Sequence, residues 1–389
     1  METEKSKKET LKLIMQSQYF LYFGVLGIFL PYFNLYCYHL GFTGYHIGIL
    51  SAVRTVATII FPFVWGYIAD KYQNRRSIFI LCNFLSTLAW TFFLYTSDFT
   101  IMLIISIIYG IFYSPIISFL ETFSMEILGK GKKKYGKIRV WGSLNFVFIV
   151  VLTGKIIDLY NTDIIIPLIL SGSLIQSFIS FKIPKTTIKN KGISLIDTKF
   201  LVKKKVLVFM FCAFLMLVSH GAYYGFFSIY LEKLNFGKTF IGISWAIASA
   251  AEIIVMIKSD IIFKRFSIQN VLIFSFFTAA IRWLILYFTK SPALIIFSQL
   301  LHAITYAAFH IASLLYMDKI SPKKSKTLAQ AANNAITYGL GMTIGFLFNG
   351  FLYEKTTCSV MFLISSITAL SAGIILLSFH VFKNKEIRL

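Results

Sequence analysis

The sequence predicts an all-α integral membrane protein with twelve transmembrane helices, arranged as two parallel halves of six. Three observations support this fold class: an apolar composition, an alternation of basic and non-basic loops, and an internal repeat. Of the 389 residues, 57% are hydrophobic and 14% are charged, which is about half the charged share of a soluble domain. At about 20 residues per crossing, the chain accommodates twelve spans and leaves no room for a soluble catalytic domain.

Twelve apolar runs follow one another along the chain, separated by short polar breaks. They fall at 16–38, 45–67, 78–96, 100–127, 137–159, 163–182, 206–232, 239–262, 270–289, 292–318, 327–353 and 357–382. The first run is too long for a signal-peptide core and no small-residue cleavage pattern follows it, so we expect it to remain as the first span. Pro31, Pro62 and Pro115 lie inside runs, which membrane helices tolerate because neighbouring helices satisfy the freed backbone groups.

Basic residues indicate which loops face the cytoplasm, because short cytoplasmic loops retain Lys and Arg. The N-terminus, every second loop and the C-terminus carry 31 basic residues, whereas the intervening loops carry 5. Arg54 and Arg282 lie inside spans. Both termini are therefore expected in the cytoplasm. The net charge of +22 reflects this topology and does not indicate a nucleic-acid partner.

Residues of the first half recur in the second half at a constant offset of 194. The first-half members are Phe33, Tyr36, Leu40, Phe42, Ile47, Gly48, Ile49 and Ala52, and their counterparts are Phe227, Tyr230, Leu234, Phe236, Ile241, Gly242, Ile243 and Ala246. Asp70 and Arg75 recur as Asp260 and Arg265 at an offset of 190. Because six spans separate equivalent positions, the two halves have the same orientation. The repeat predicts an N-terminal bundle at 1–182, a cytoplasmic linker at 183–205 and a C-terminal bundle at 206–389.

The sequence offers no signature of a metal site, a cofactor or an enzyme. Cys37, Cys82, Cys212 and Cys358 are scattered in apolar runs without paired spacing, so neither a disulfide framework nor a zinc site is expected. The chain has no HExxH, no paired-Asp motif and no Gly-x-Ser-x-Gly elbow, which argues against the alternative of a polytopic membrane enzyme. We therefore expect no cofactor and no metal.

Two groups of motifs resemble a known transporter family. The break between spans 2 and 3 resembles the signature loop of the major facilitator superfamily through Gly66, Asp70, Lys71, Arg75 and Arg76. The stretches 135–143 and 299–303, with Arg282 and Trp283 upstream, are similar to the phenylpropionate-transporter-like branch, which is related to lactose permease. The resemblance implies two six-helix bundles around a central cavity, alternating access by rocking, and often proton coupling.

The signature loop is expected to act as a conformational switch. We expect the Asp70 carboxylate to accept hydrogen bonds from Arg139 or from helix N-terminal amides across the cytoplasmic interface and so to lock the outward-facing state. Gln73 and Asn74 stand where the superfamily loop usually has Gly and a basic residue. This departure predicts a less tight turn.

Ionisable residues at membrane depth are costly, so each is a candidate functional residue. Glu121, late in span 4, and Arg139, which opens span 5, are predicted to pair. They resemble the sugar-contacting acid and base of lactose permease, and Trp141 offers an aromatic face beside them; the alternative is a structural pair at the helix ends. Arg54 in span 2 is a candidate for binding an anionic solute, and snorkelling of its side chain to the membrane surface is the alternative.

Glu252 in span 8, Arg282 in span 9 and His302 in span 10 form a second predicted constellation. Arg282 and His302 resemble, in order and spacing, the proton-coupling residues of lactose permease, but Thr305 stands where that permease has a carboxylate. A proton must then reside on Glu252, His302 or His310. Glu252 is the predicted carrier, because burial and the Arg282 charge act on its protonation in opposite directions. The alternative is that Glu252 and Arg282 only hold two spans together.

Polar residues spaced four apart mark one face of spans 10 and 11. On span 10 they are His302, Tyr306 and His310, and on span 11 they include Asn334 and Tyr338. A polar stripe on a membrane helix lines a cavity or joins helices. We predict that Asn334 and Tyr338 line the solute path.

The predicted function is secondary active transport of a small organic solute across the bacterial inner membrane, by proton symport in the inward direction. Arg54 and Arg139 favour a monocarboxylate, whereas the Glu121–Arg139 pair favours a hydroxylated neutral solute such as a sugar or a nucleoside. Export of drugs or metabolites is the third alternative. The expected partners are the solute, protons and the lipid bilayer, and the protein is expected to be a monomer.

Overall fold

The computed structural model of the chain describes residues 2–128, 135–184 and 198–386, with side chains described from residue 9 to residue 381 within those ranges. Part of the predicted linker at 183–205 and most of the basic residues of the 127–139 loop lie outside the described residues. The predicted boundary between the halves therefore stays a prediction.

Within the described ranges, twelve helices are long and apolar enough to cross a membrane, and no residue is in a strand. They are α1 (Glu9–His39), α2 (Gly44–Lys71), α3 (Arg75–Tyr95), α4 (Phe99–Leu128), α5 (Tyr135–Leu159), α6 (Thr162–Ser180), α7 (Lys204–Lys233), α8 (Lys238–Arg265), α9 (Ile268–Phe288), α10 (Pro292–Ile320), α11 (Lys323–Lys355) and α12 (Cys358–Val381). Each helix coincides with one predicted apolar run to within four residues, except that α1 begins seven residues before its run. The fold class of twelve transmembrane helices is confirmed.

Away from their ends, α4, α10 and α11 contain local irregularities with different causes. α4 is interrupted by a turn at Ser114 and Pro115, where proline lacks the amide that would continue the helical ladder. α10 contains a π-helical segment at Ala303–Ala308, and α11 contains one at Asn334–Gly341. Such π-helical turns occur frequently at functional sites. Pro31 and Pro62, by contrast, lie inside continuous helix.

The chain forms two compact units that largely follow the two predicted halves. The first contains α1, α3 to α6 and most of α2, and the second contains α7, α9 to α12 and most of α8. Two short segments belong to the unit of the opposite half: Thr43–Ala52 belongs to the second unit, and Phe236–Ala246 belongs to the first. These segments are the starts of α2 and α8, which the sequence repeat equates.

Gly48 and Gly242, which the repeat matches, occupy the same kind of helix crossing in the two units. A Cβ atom on Gly48 would lie 2.7 Å from the carbonyl oxygen of Phe346 in α11, and one on Gly242 would lie 2.5 Å from the carbonyl oxygen of Val150 in α5. Real Cβ atoms do not approach backbone that closely. Glycine at both positions therefore allows two helix backbones to touch.

Carboxylates cap the helix starts that lie beside these crossings. Asp158, near the end of α5, accepts hydrogen bonds from the backbone amides of Lys238 and Thr239, both at 2.8 Å, and from the Thr239 hydroxyl at 2.7 Å. Glu354, near the end of α11, accepts a hydrogen bond from the backbone amide of Gly44 at the start of α2. Each cap satisfies amides that a helix start leaves without an intrahelical acceptor, and each lies inside one compact unit.

Candidate functional site

The structure brings together Glu252, Arg282 and His302, which come from three different helices of the second unit. The imidazole of His302 lies between the two charged groups. Its Nε2 is 2.8 Å from Oε1 of Glu252, and its Nδ1 is 2.6 Å from Nη1 of Arg282. Arg282 and His302 are 0% and 2% exposed, whereas the Glu252 side chain is 19% exposed. The predicted constellation therefore forms a connected chain with its carboxylate on the more accessible side.

The hydrogen bonds between Glu252, His302 and Arg282 determine which nitrogen of His302 carries a proton. A guanidinium can only donate, so Nδ1 of His302 must accept from Arg282 and cannot carry a proton. A neutral imidazole then carries its proton on Nε2, and Nε2 donates to Oε1 of Glu252. An added proton on Glu252 can therefore bind Oε2 without disturbing the hydrogen bond between Oε1 and His302.

Polar and aromatic neighbours hold the Arg282 guanidinium in place. Nη2 lies 3.2 Å from Oε1 of Gln299 and Nη1 lies 3.3 Å from the Thr305 hydroxyl, so both oxygens accept from Arg282. The guanidinium carbon lies 4.3 Å from the ring centre of Tyr223 and 4.5 Å from that of Trp283. Cation–π contacts of this kind stabilise a desolvated cation. Thr305, at the position where lactose permease has a carboxylate, serves here as a neutral acceptor.

Sequence reasoning missed His220 of α7, which is 0% exposed beside this cluster. Its ring centre lies 5.0 Å from that of Trp283 and 6.1 Å from that of His302. Its Nδ1 donates to the carbonyl oxygen of Met216 at 2.8 Å, which leaves Nε2 as an acceptor, and Nε2 has no hydrogen-bond partner among the described residues. A histidine inside an apolar run is itself a signal, and that signal was available in the sequence.

His310 is not part of the Glu252 chain. Its Nδ1 lies 2.6 Å from the hydroxyl of Tyr338, and Tyr306 lies between the two groups, with ring centres 5.2 Å from His302 and 6.2 Å from Tyr338. Tyr306 and Tyr338 both lie in the π-helical segments. Asn334 is exposed and forms no hydrogen bond within the described residues. The polar stripes of α10 and α11 therefore form one row of rings, which consists of His302, Tyr306, Tyr338 and His310 and does not include Asn334.

Glu121 and Arg139 do not form the predicted ion pair in the described part of the chain. The Arg139 guanidinium carbon lies 3.7 Å from the ring centre of Phe23, and its Nη1 is 3.4 Å from the Ser143 hydroxyl. Glu121 is exposed and makes no hydrogen bond there. Trp141 is 45% exposed and lines a groove of about 340 Å³ with residues of α1 and α6. Two positions along a helix turn a side chain by about 200°, which separates Trp141 from Arg139.

Arg54 lies beside a group of aromatic rings in the first unit. Its guanidinium carbon is 3.9 Å from the ring centre of Phe29, and no ion pair to it is found within the described residues. Tyr109 stacks on Tyr113 with ring centres 4.7 Å apart, and Tyr113 stacks on Tyr22 at 5.2 Å. Arg54 thus lies over an aromatic ring at contact distance, and no carboxylate balances its charge in the ranges that the structure describes.

The signature loop between α2 and α3 closes as a tight turn, so the prediction of a less tight turn is wrong. Gln73 has a φ of +50°. The Asn74 amide donates to the Ala69 carbonyl at 3.1 Å, and the Gln73 amide donates to the Asp70 carbonyl at 3.3 Å. This pair of bonds is the Schellman motif that ends many helices. Gln73 adopts the left-handed conformation for which glycine is usually selected.

Asp70 pairs with Arg75 inside the loop, and neither of its predicted partners, Arg139 or a helix N-terminal amide, contacts its carboxylate within the described residues. Nε of Arg75 donates to Oδ1 of Asp70 at 2.7 Å, and Nη1 of Arg75 lies 2.9 Å from Oε1 of Glu126 at the end of α4. Arg75 therefore joins two carboxylates of α2 and α4 at the start of α3. All three residues of this network belong to the first unit.

The remaining residues of the loop have separate contacts. Arg76 donates to the carbonyl oxygens of Ile183 and Phe181, both at 2.6 Å, which ties the start of α3 to the segment after α6. The Lys71 ammonium lies 5.6 Å from the Tyr72 ring centre, and a Cβ atom on Gly66 would meet open space. The described residues contain no group of three or more His, Cys, Asp or Glu side chains that could hold a metal ion.

Comparison with known proteins places this geometry in context. A family model described as the MFS_1 like family matches residues 12–364. The chain is 27% identical over 345 residues to a protein of Escherichia coli named "Probable 3-phenylpropionic acid transporter", with 86% of this chain and 89% of that protein covered. It is 21% identical over 373 residues to the maltose permease of Geobacillus stearothermophilus, with 94% of both chains covered. It is 22% identical to the nucleoside permease NupG of Escherichia coli, with 89% of both chains covered.

Solved structures agree on the fold. The structure of the nucleoside transporter NupG superposes with a TM-score of 0.85 at 18% identity and covers 95% of this chain and 98% of that chain. An inward open structure of the xylose transporter XylE of Escherichia coli gives a TM-score of 0.70 at 14% identity, with 96% of both chains covered. At these identities the likeness shows a shared fold and nothing about the solute.

Proposed function

Because the chain belongs to the MFS_1 like family, we propose that it is a secondary transporter that couples the uptake of a small organic solute to protons. It resides in the bacterial inner membrane as a monomer with both termini in the cytoplasm. The single observation that supports proton coupling is the Glu252–His302–Arg282 cluster. In it the Oε1 atom of Glu252 bonds His302, the Oε2 atom can take up a proton, and the buried Arg282 cation lies on the other side of the imidazole.

Protonation of Glu252 changes the electrostatic energy of the Glu252–His302–Arg282 cluster. When Glu252 is ionised, its charge faces the Arg282 charge across the neutral imidazole of His302, and the two attract. When Oε2 is protonated, this attraction is lost and the Arg282 charge remains, with only neutral acceptors around it. A proton on Glu252 therefore changes the relative free energy of conformations that differ in the environment of Arg282, which is the requirement for coupling.

The relatives indicate which solutes to test first. Their names refer to 3-phenylpropionic acid, nucleosides and maltose, so the candidates are an organic acid and a neutral hydroxylated compound. A nucleoside or a sugar is the second candidate. Nε2 of His220 favours it, because this buried acceptor lacks a donor in the described residues and the Trp283 and Tyr306 rings lie near it. A solute hydroxyl would supply the missing donor.

The test uses purified protein in liposomes, with 3-phenylpropionate, uridine and maltose as three separate probes. Wild-type protein should accumulate one of them when the outside is acidified. Glu252→Gln mimics the protonated carboxyl group, so it should still exchange labelled for unlabelled solute across the membrane. It should not accumulate solute, because the empty carrier can no longer release a proton.

A matched control lies on the same helix. Asp260 is exposed near the end of α8 and forms no ion pair in the described part of the chain, so Asp260→Asn should retain both exchange and accumulation. If Glu252→Gln still accumulates solute under a pH gradient, Glu252 is structural. If the wild-type protein takes up each probe to the same level with and without the pH gradient, the proposal of proton coupling is wrong.

A further inference from the structure

The first unit contains a guanidinium that has no counter-charge among the described residues. Arg54 lies about ten residues into α2, half-buried, and its guanidinium carbon is 3.9 Å from the ring centre of Phe29 and 6.0 Å from that of Phe33. No carboxylate pairs with it in the described residues. A cation inside a membrane span is costly without a partner, and the Phe29 ring offsets only part of that cost. The side chain also does not extend away from the aromatic cluster, as snorkelling would require.

Two tyrosine hydroxyls of the neighbouring aromatic cluster also have no hydrogen-bond partner in the part of the chain that the structure describes. The hydroxyl oxygens of Tyr109 and Tyr113 are buried and make no hydrogen bond among the described residues. The Tyr109 ring centre lies 6.1 Å from that of Phe29, the ring over which the Arg54 guanidinium lies, and the Tyr113 ring stacks on Tyr109. A buried hydroxyl without a hydrogen-bond partner is destabilising. Two such groups beside an unpaired cation indicate that an acceptor is missing from this place.

The aromatic rings around these donors form a continuous wall. Tyr22, Tyr113 and Tyr109 stack in sequence, with ring centres 5.2 Å and 4.7 Å apart and interplanar angles of 8° and 18°. Phe29 continues the wall, with its ring centre 6.1 Å from that of Tyr109. An apolar or aromatic group can pack against such a surface, while an attached anion reaches the donors.

We propose that Arg54, Tyr109 and Tyr113 form a subsite for the carboxylate of an aryl monocarboxylate, whose ring packs on the wall of Tyr22, Tyr113, Tyr109 and Phe29. This inference names the solute class for the proposed transport function and rests on that function. The guanidinium supplies a planar fork that matches a carboxylate. The tyrosine hydroxyls supply further donors once the stack shifts to admit the solute. A neutral nucleoside or sugar would leave the Arg54 charge unpaired.

The test is a binding measurement in detergent without any gradient, by calorimetric titration of the wild-type protein. The probes are 3-phenylpropionate, its neutral amide 3-phenylpropanamide, and butyrate, which has the carboxylate without the ring. We expect 3-phenylpropionate to bind at least about tenfold more tightly than the amide, because the amide lacks the charge that Arg54 requires. Butyrate should bind at least about tenfold more weakly than 3-phenylpropionate because it cannot stack.

Two variants locate the carboxylate. Arg54→Gln should reduce affinity for 3-phenylpropionate by at least about tenfold and remove the preference over the amide. Tyr113→Phe should reduce affinity by about three- to tenfold, because it removes one donor and keeps the ring. The matched controls are Arg265→Gln at the end of α8 and Tyr95→Phe at the end of α3, where Tyr95 is 80% exposed; both should bind like the wild type. The unliganded melting temperature of each variant verifies that it is folded.

Several outcomes would overturn the subsite. They are equal binding of the carboxylate and the amide by the wild type, no binding of 3-phenylpropionate, or retention of the preference in a folded Arg54→Gln protein. Failure of the proposed function has a different signature. In that case 3-phenylpropionate binds through Arg54, but no pH gradient drives its accumulation.

Discussion

Asp158→Asn tests how the start of α8 is held in place. Asp158 accepts three hydrogen bonds, from the amides of Lys238 and Thr239 and from the Thr239 hydroxyl. Asparagine is similar in size but retains one acceptor oxygen and presents an amide group where the second oxygen was. One backbone amide then faces a donor instead of an acceptor, and the negative charge at the helix start is lost.

The loss can be sized from the contacts that change. Replacing a capping side chain with one that cannot accept costs about 0.5–2 kcal/mol, and removing a negative charge from a helix N-terminus costs about 0.3–1 kcal/mol. Asp158 is exposed, so solvent screens the charge and the lower half of both ranges applies. The free energy of local opening at the start of α8 should therefore be about 1 kcal/mol lower, which corresponds to about a fivefold larger open population.

Hydrogen–deuterium exchange measured by mass spectrometry reads this population directly. The amides of 238–241 should exchange about fivefold faster in Asp158→Asn than in the wild type. The start of α2, which Glu354 caps, should exchange at the wild-type rate and serves as the internal reference. Asp163→Asn, in the short turn at the start of α6, is the matched control, because that carboxylate caps no other helix in the described residues.

Unchanged exchange of 238–241 would refute the reasoning, since it would mean that Asp158 contributes nothing to holding the helix start. Equal acceleration at the starts of α2 and α8 would refute it in another way. The substitution would then have destabilised the protein as a whole, and the cap would have no local role.

Two further predictions concern the signature loop and the topology. Gln73→Gly should melt about 2–4 °C above Gln73→Ala, because both lose the Gln73 side chain and only alanine keeps the strain of about 1 kcal/mol at a φ of +50°; equal melting temperatures would contradict the strain. Cysteine at position 189, which lies outside the described residues, should not react with an impermeant maleimide added to intact cells, whereas the same reagent should label it in inverted vesicles. The four native cysteines are buried and should give little background, and labelling of intact cells would place the 183–205 segment outside.

The number of spans and the grouping of residues that are distant in the sequence could both be predicted, for different reasons. Apolar runs of membrane length give helices whatever their neighbours, because the bilayer requires internally satisfied backbone. Gly48 and Gly242 could be matched by their offset, and both prove to be helix crossings. Glu252, Arg282 and His302 could be grouped because each is a costly ionisable residue at membrane depth, and they do form one chain.

Pairings that depend on side-chain direction were not accessible. Glu121 and Arg139 have suitable types and positions, but Arg139 extends over Phe23, a contact that no spacing rule indicates. Asp70 pairs with Arg75, five residues away, because the turn between α2 and α3 brings the two side chains together. Which of several plausible partners a charged group selects depends on rotamers and helix rotation, and these are set by packing across the whole unit.

The two π-helical segments also affect how residue positions can be compared between proteins. A π-helical ring closes from residue i to residue i+5 instead of i+4, so each such turn holds one residue more than an α-helical turn. In a relative whose tenth and eleventh spans are uninterrupted α-helix, every side chain after position 303 or 334 would be out of phase by about 100° per extra residue. The equivalents of His310 and Tyr338 in such a relative would be found only by placing a gap inside a membrane span, where alignments ordinarily place none.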